Sequence, residues 1–550
     1  MKFIEKIYDK IMNNKKNRII FFVFLSVLSC ISIFTVTLKY GHDILFHLSR
    51  IKAIKESFSI ELFPNIYSNY INGYGYANPL FYPDIFLYIP AFINYLGIDI
   101  YLSYKIFLLM ISFFSILTMY ISVKGISKSK YAGIISSIIY AFASYRLVDV
   151  FSRAALGEAL AFVFAPLVIY GIYEIIYEDY KKFYILVIGM CGLILSHILS
   201  TYIIGLLLII LVIINIKKFF KEKQRIKYLI ISALITIFIT GFFIFPMLEQ
   251  MISGDFVFNN VEQISEIENR AVPFYALFLE IILPLKSWIP AGIGIIFIYL
   301  TILKIKNKEI NDKFINICFI IGIISLFLSS NLFPWKIFGK LFEMIQFPWR
   351  LYFITTLLLT ISGSILISKI YTKKKERIKQ FIIVFLISSI SLISISITTI
   401  LSGKTVLDKD YLGKGEEYLP AKVDLDYIKD RKDVITSNNN ISFSYKRIKN
   451  KIIVEFENEY EDTQIELPLI YYKGYGAKID DKYLNVKESD NGLVLVEIGN
   501  INKGVLTVQY IKTPIIYISR GISIISITIF SIYIFKINRK EEKNEKEKNN

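Results

Sequence analysis

Apolar runs long enough to cross a bilayer core recur along the chain and are separated by short, mostly basic, polar segments. They fall at residues 19–38, 103–123, 131–148, 159–177, 183–198, 199–214, 227–246, 288–303, 314–330, 349–368, 380–400 and 514–536. A helix needs roughly 20 apolar residues to span about 30 Å of hydrocarbon, so the pattern predicts a mainly α, polytopic transmembrane helix bundle of about twelve spans. Lys and Arg cluster at 124–130, 181–182, 217–227, 304–313, 369–379 and from 536 onward, and this topology puts every cluster on one side. Basic loops mark the cytoplasmic face, so the expected product is a multi-pass cell-membrane protein with both termini inside. The basic start followed by run 19–38, without a small-residue cleavage signature, reads as a retained first span.

Two stretches need special treatment for that topology to hold. Residues 77–97 are apolar but carry Pro79, Pro83 and Pro90. Proline removes backbone donors and breaks helices, so this stretch reads as an interfacial or re-entrant segment. Residues 183–214 must fold as two short spans turning at Leu195-Ser196-His197. The bundle is then residues 1–402, with an outer loop at 39–101. Residues 403–513 contain runs of strand length at 441–445, 452–456, 493–498 and 505–510, bounded by Asn, Gly and Asp. This predicts a small extracytoplasmic β-sandwich inserted before the last transmembrane helix, 514–536. The tail, 537–550, mixes Lys, Glu and Asn without apolar anchors and is expected to be disordered and cytoplasmic.

Composition excludes an ordinary soluble enzyme: 54% of the 550 residues are hydrophobic and only 20% are charged. The net charge of +17 sits in short clusters between apolar runs, which fits membrane orientation and gives no reason to expect a nucleic-acid partner. Cys30, Cys191 and Cys318 lie inside apolar runs and form no C-x-x-C pair, so neither a disulfide framework nor a cysteine metal site is expected.

Ionisable groups near lipid are costly, so their placement is informative. In Gly41-His42-Asp43-Ile44-Leu45-Phe46-His47-Leu48-Ser49-Arg50, helical spacing puts Asp43, His47 and Arg50 on one face. Tyr145 to Arg153, followed by Glu158, forms a second polar cluster. His197 marks the next outer turn, and Arg350 opens another span after Gln346-Phe347-Pro348-Trp349. Each has a plain structural reading: an Asp43–Arg50 ion pair, and an Arg153–Glu158 pair that makes a polar turn tolerable. The histidines with Asp43 or Glu158 have the chemistry for a divalent metal, but no H-E-x-x-H spacing supports one, and the cofactor is left unknown. Gly73-Tyr74-Gly75-Tyr76 lacks the third glycine and the flanking elements of a dinucleotide loop. Asp408-Lys409-Asp410 and Asp424-Leu425-Asp426 read as loop acids.

Taken together, Gly41-His42-Asp43 through Arg50-Ile51, Gly73 to Tyr76 with Pro79-Leu80-Phe81-Tyr82-Pro83, Tyr145-Arg146 with Arg153 and Gly157-Glu158, Leu195-Ser196-His197, and Gln346 to Arg350 resemble the bacterial membrane proteins labelled 6-pyruvoyl-tetrahydropterin synthase-related. The resemblance implies a GT-C-like glycosyltransferase, not pterin chemistry: an acid in the first outer loop and a sugar donor linked to lipid phosphate. Many GT-C enzymes have an acidic pair there, and no second acid adjoins Asp43. The function expected is transfer of a sugar from a polyprenyl phosphate to a cell-envelope glycan or lipid acceptor on the outer face. Asp43, His47 and Glu158 are the expected catalytic residues, and Arg50, Arg153, His197 and Arg350 the substrate-binding ones. The rivals are a transporter or flippase of a lipid-linked intermediate and a non-catalytic membrane scaffold.

Overall fold

The structure, a computed structural model, describes residues 2–34, 41–259, 263–278, 292–402, 415–431 and 435–549. It divides into two compact units. The first comprises Met1–Ile44, Tyr101–Thr236 and Glu262–Lys409; the second comprises Leu45–Ile100, Ile237–Val261 and Asp410–Asn550. The boundary expected at residue 403 and the decoy Asp408-Lys409-Asp410 lie outside the described residues.

The chain is mainly helical, as the apolar runs predict. Among the described residues six helices are long and apolar enough to cross a membrane: Ile100–Ser127, Leu156–Tyr177, Lys223–Ser253, Pro348–Ile370, Lys374–Ile400 and Pro514–Ile537. A seventh follows if Lys130–Ala141 and Ser144–Phe151, bent by 45°, count as one span. Among the described residues the other expected spans are shorter or interrupted, and residues 35–38 and 288–291 of two of them lie outside that description. Run 19–38 is helical over Lys15–Ser29 and then tightens into the 3-10 turn Ile31–Phe34. Run 288–303 is helical over Ile295–Lys306, and run 314–330 over Lys313–Leu328. The proline-bearing stretch 77–97 breaks into Asn78–Phe81, Ile85–Leu87 and Tyr88–Tyr95.

Local chemistry accounts for the breaks. Ser129 caps Lys130–Ala141, its Oγ accepting from Ala132 N at 3.2 Å, which satisfies a first-turn donor that has no intrahelical partner. The helix Tyr184–Ile194 stops at the expected turn. His197 then caps Ile198–Ile214, its Nδ1 accepting from Ser200 N at 3.2 Å. Of the six membrane-length helices among the described residues, Pro348–Ile370, which contains Tyr352–Ile370, is the most enclosed, with 94% of its apolar stretch buried. It packs closely on Lys313–Leu328: a Cβ on Gly322 would lie 2.9 Å from Leu359, and Thr355 Oγ1 donates to Gly322 O at 3.1 Å. Such close backbone approach is how helices associate where water is absent.

In the second unit, helix Ile44–Ser57 precedes a region with two antiparallel sheets. The strands are β1 Thr436–Ser437, β2 Ser442–Ile448, β3 Lys451–Glu457, β4 Thr463–Ile470, β5 Tyr475–Ile479, β6 Lys482–Leu484, β7 Val486–Glu488, β8 Leu493–Gly499 and β9 Lys503–Tyr510. One sheet runs β1-β4-β8-β7, the other β2-β3-β9-β5-β6. Both contribute to one apolar core: Val454 and Phe456 of β3, Leu506 and Val508 of β9, Ile465 and Leu467 of β4, and Val494 and Val496 of β8. Each such side chain contributes about 1.5–3 kcal/mol on burial. The decoy Asp424 is a helix cap, its Oδ1 accepting from Asp426 N at 2.9 Å and Tyr427 N at 3.2 Å.

Helix Pro514–Asn549 continues into the segment 537–550 as far as Asn549. Lys and Glu are good helix formers, and no Gly or Pro interrupts residues 536–549, so nothing local stops propagation.

Candidate functional site

The site in the first unit is built on the bend between Ser144–Phe151 and Leu156–Tyr177. All eight residues of the shorter helix are buried. It ends by wrapping: Arg153 N donates to Val148 O and Ala155 N to Asp149 O, both at 2.9 Å. Ala154 takes φ +51°, a left-handed conformation that costs an L residue on the order of 1 kcal/mol. Residues 41–43 pack on this turn. Asp43 N donates to Arg153 O at 3.0 Å, and a Cβ on Gly41 would sit 2.6 Å from the Ala154 Cβ, so glycine is needed there.

The bend gathers a buried charge network. Arg153 Nη1 donates to Glu158 Oε2 at 2.7 Å, Asp149 Oδ1 at 2.5 Å and Tyr145 Oη at 3.2 Å. Tyr145 in turn donates to Glu158 Oε1 at 2.6 Å. Arg350 joins with its Nε 3.8 Å from Glu158 Oε2. The Arg350 Nη1 donates to Gln346 Oε1 at 2.6 Å and Ile345 O at 3.1 Å. The Arg350 guanidinium lies 4.9 Å from the Phe347 ring centroid. Glu158 is 1% exposed and Asp149 fully buried. Ionised groups so enclosed require partners, and here two acids face two guanidiniums. Asp149 Oδ2 has no hydrogen-bond partner among the described residues.

Asp43 and His42 stand exposed beside this network. Surrounding protein raises the Asp43 pKa above its ordinary value, Arg153 and Arg350 oppose that, and Glu158 reinforces it. Desolvation by the neighbouring protein lowers the His42 pKa as well, with Arg153 adding to the effect. His197 lies within electrostatic reach of Glu158, Arg350 and Arg153.

Of the sequence-derived candidates, Arg153, Glu158 and Arg350 are in direct contact, and Asp43 and His197 lie within their field. His47 and Arg50 belong to the second unit. There Arg50 is 1% exposed, donates from Nη2 to Pro83 O at 2.7 Å and stacks 4.5 Å from the Tyr82 ring centroid. That fixes the proline-bearing turn. His47 lies edge-on to Tyr82, ring centroids 6.5 Å apart. Sequence reasoning gave no role to Asp149 or Tyr145, which it quoted only as part of the polar cluster and, for Tyr145, of the family motif Tyr145-Arg146. The spacing of four between Asp149 and Arg153 was the available signal for the first. Among the described residues no group of three or more His, Cys, Asp or Glu side chains is placed to hold a metal ion.

Residues 80–401 match the family model described as 6-pyruvoyl-tetrahydropterin synthase related domain, membrane protein. Arg153, Glu158, His197 and Arg350 fall within the matched stretch, while Asp43, His47 and Arg50 precede it. The chain is also similar to an uncharacterized protein of Lactococcus lactis subsp. cremoris (strain MG1363), with 24% identity over 361 residues. That alignment covers 61% of this chain and 58% of the relative, so the chain spans under two thirds of the relative's length.

Proposed function

The chain belongs to the 6-pyruvoyl-tetrahydropterin synthase related family of membrane proteins, and in that setting we propose a GT-C-type glycosyltransferase that moves a sugar from a polyprenyl phosphate to an envelope glycan or lipid. The reading includes about twelve crossings, some made by the shorter helices, cytoplasmic termini, and a β-sandwich on the outer face where the reaction occurs. The observation that carries it is the buried Asp149–Arg153–Glu158–Arg350 network with the exposed carboxylate of Asp43 beside it.

In the proposed reaction, the acceptor hydroxyl attacks the anomeric carbon. The new C–O bond forms as the bond to the phosphate oxygen breaks. Asp43 takes the hydroxyl proton, and the lipid phosphate leaves with the bonding electron pair. Arg153 Nη1 makes the hydrogen bonds to Tyr145, Asp149 and Glu158, and in this reading the same guanidinium also meets the donor's phosphate oxygens. Guanidinium matches such oxygens bidentately and keeps its charge in a dry site. Glu158 holds both arginines in place and thereby sets the position of the leaving group.

Asp43→Asn is expected to abolish transfer while sparing the fold. The sign follows from the raised pKa: a carboxyl that holds its proton more tightly folded than unfolded loses stability as pH rises from its unfolded toward its folded pKa. At pH 7 the amide removes that cost, so the variant's unfolding midpoint should equal or exceed that of the parent. The test is envelope-glycan analysis in cells carrying the variant, with a deletion strain beside it. Glycans lost on deletion but intact with Asp43→Asn rule out the base assignment. Lipid movement in proteoliposomes without sugar transfer identifies a flippase instead.

A further inference from the structure

In the first unit, helix Lys2–Asn13 turns away from the helix that follows it, and the turn is locked. Asn14 is extended, with φ −114° and ψ 124°, and its Oδ1 caps the next helix by accepting from Lys16 N at 2.8 Å and Asn17 N at 3.3 Å. Arg18 Nη1 reaches back to Met12 O at 3.1 Å and Ile11 O at 3.3 Å, satisfying carbonyls that a last turn leaves open. Tyr8 and Phe21 stand on opposite sides of this turn, yet their ring centroids lie 5.8 Å and 5.9 Å from that of Phe381. A continuous helix would set the two residues about 20 Å apart along its axis. Phe381 opens the apolar run 380–400, so the middle of Lys2–Asn13 sits at the depth where apolar sequence begins.

At 3.6 residues per turn the helix divides into four stripes. Tyr8 and Ile11, 5% and 4% exposed, face the bundle. Glu5 and Asp9 form one flank, and both pair with Lys374, at 3.1 Å and 3.0 Å, so these acids are neutralised within the protein. Lys2, Lys6 and Lys10 form the next stripe, exposed and, among the described residues, without an ion-pair partner. Phe3, 75% exposed, and Ile7, 39% exposed, complete the circle.

Apolar side chains left open beside a basic stripe mark a helix that lies in a membrane interface. The apolar groups enter the acyl boundary, and the lysine stems lie along it with their ammonium groups among the headgroups. The following helix continues the pattern, with Ile19, Ile20 and Phe24 exposed as lipid-facing side chains are. Nucleic acid would meet the lysines and leave Phe3 and Ile7 in water, whereas a bilayer with anionic headgroups takes both.

We propose that helix Lys2–Asn13 is a docking surface for anionic phospholipid, with Phe3 and Ile7 in the acyl boundary and Lys2, Lys6 and Lys10 on the phosphate headgroups. The inference needs only a membrane around the chain and stands apart from the transfer reading.

The test puts a nitrobenzoxadiazole dye on Ile7→Cys in the full-length protein, reconstituted in nanodiscs of phosphatidylcholine alone or of its equimolar mixture with phosphatidylglycerol. The parent treated alike supplies the blank for Cys30, Cys191 and Cys318. In mixed discs, lipid carrying a nitroxide near the headgroup should quench the dye more than lipid carrying it at the chain end. Lys2→Gln, Lys6→Gln and Lys10→Gln should each lower the ratio of lipid-bound to free helix about fivefold, the contribution of one lysine near an anionic surface. The unfolding midpoint should not move, because these side chains are exposed. Replacing all three by Arg keeps the charge and should keep the quenching. The proposal is overturned if the dye stays in water in mixed discs, if quenching is equal in phosphatidylcholine alone, or if the Gln variants behave as the parent does. It is also overturned if the dye is shielded only in discs holding two copies and no lipid nitroxide reaches it, which identifies a contact between copies.

Discussion

Glu158→Ala should cost the protein about 3–5 kcal/mol of stability, the usual penalty for breaking a buried ion pair from one side. Glu158 accepts from Arg153 at 2.7 Å and Tyr145 at 2.6 Å and faces Arg350 at 3.8 Å, while only 1% exposed. Its removal leaves two buried guanidiniums with Asp149 as the remaining neutralising partner in the network. Glu158→Gln keeps the shape but not the charge and should lose nearly as much. The double variant Glu158→Gln/Arg153→Met should recover part of the loss, because the orphaned cation has gone as well. Reversible unfolding in one detergent of the parent, Glu158→Gln, Arg153→Met and the double variant gives the coupling energy, with Glu158→Ala measured beside them. A loss below about 1 kcal/mol for Glu158→Ala would mean that water screens the cluster as it screens a surface pair.

What the sequence made legible follows from how local each signal is. Runs 103–123, 159–177 and 349–368 became Ile100–Ser127, Leu156–Tyr177 and Tyr352–Ile370 because a long apolar stretch has few other ways to satisfy its backbone. The turn at Leu195–His197 was readable because Ser and His interrupt an apolar run, and His197 indeed caps the helix that follows. Strands β3, β8 and β9 announced themselves by β-branched runs between turn residues. By contrast, β4 does alternate, with Ile465, Leu467 and Leu469 set between Gln464, Glu466 and Pro468, but the proline lacks a ladder donor and argued against a strand there. That each unit is assembled from three separate stretches of chain was also hidden, since it depends on contacts within the unit between segments far apart in sequence. The same holds at the site. Arg50 and Arg153 looked equivalent as basic residues near apolar runs, yet one clamps the carbonyl of Pro83 and the other joins two carboxylates. Asp149 was passed over because its importance comes from full burial, which no window of sequence records.

Gly171→Ala should destabilise by about 1–3 kcal/mol although it adds one methyl group to a helix. In isolation alanine favours a helix over glycine by nearly 1 kcal/mol, so the expected sign comes entirely from packing. An added Cβ would fall 2.3 Å from the backbone nitrogen of Leu186 and 2.5 Å from its Cα. Backbone cannot swing aside as a side chain does, so helices Leu156–Tyr177 and Tyr184–Ile194 must separate. Gly189 on the second helix makes the reciprocal approach, its Cβ position lying 2.8 Å from Val168 N. Separation would propagate to the site, because the first helix carries Glu158 in its opening turn and the second runs into the cap residue His197. Gly205→Ala supplies the control: it lies in helix Ile198–Ile214 with nothing within 4 Å of the added Cβ. There helix propensity acts alone, and the change should be neutral or stabilising by up to about 1 kcal/mol. Thermal unfolding of both variants beside the parent decides the matter. If Gly171→Ala proves as harmless as Gly205→Ala, the two helices have slack between them, and the close backbone contact does not fix where Glu158 stands.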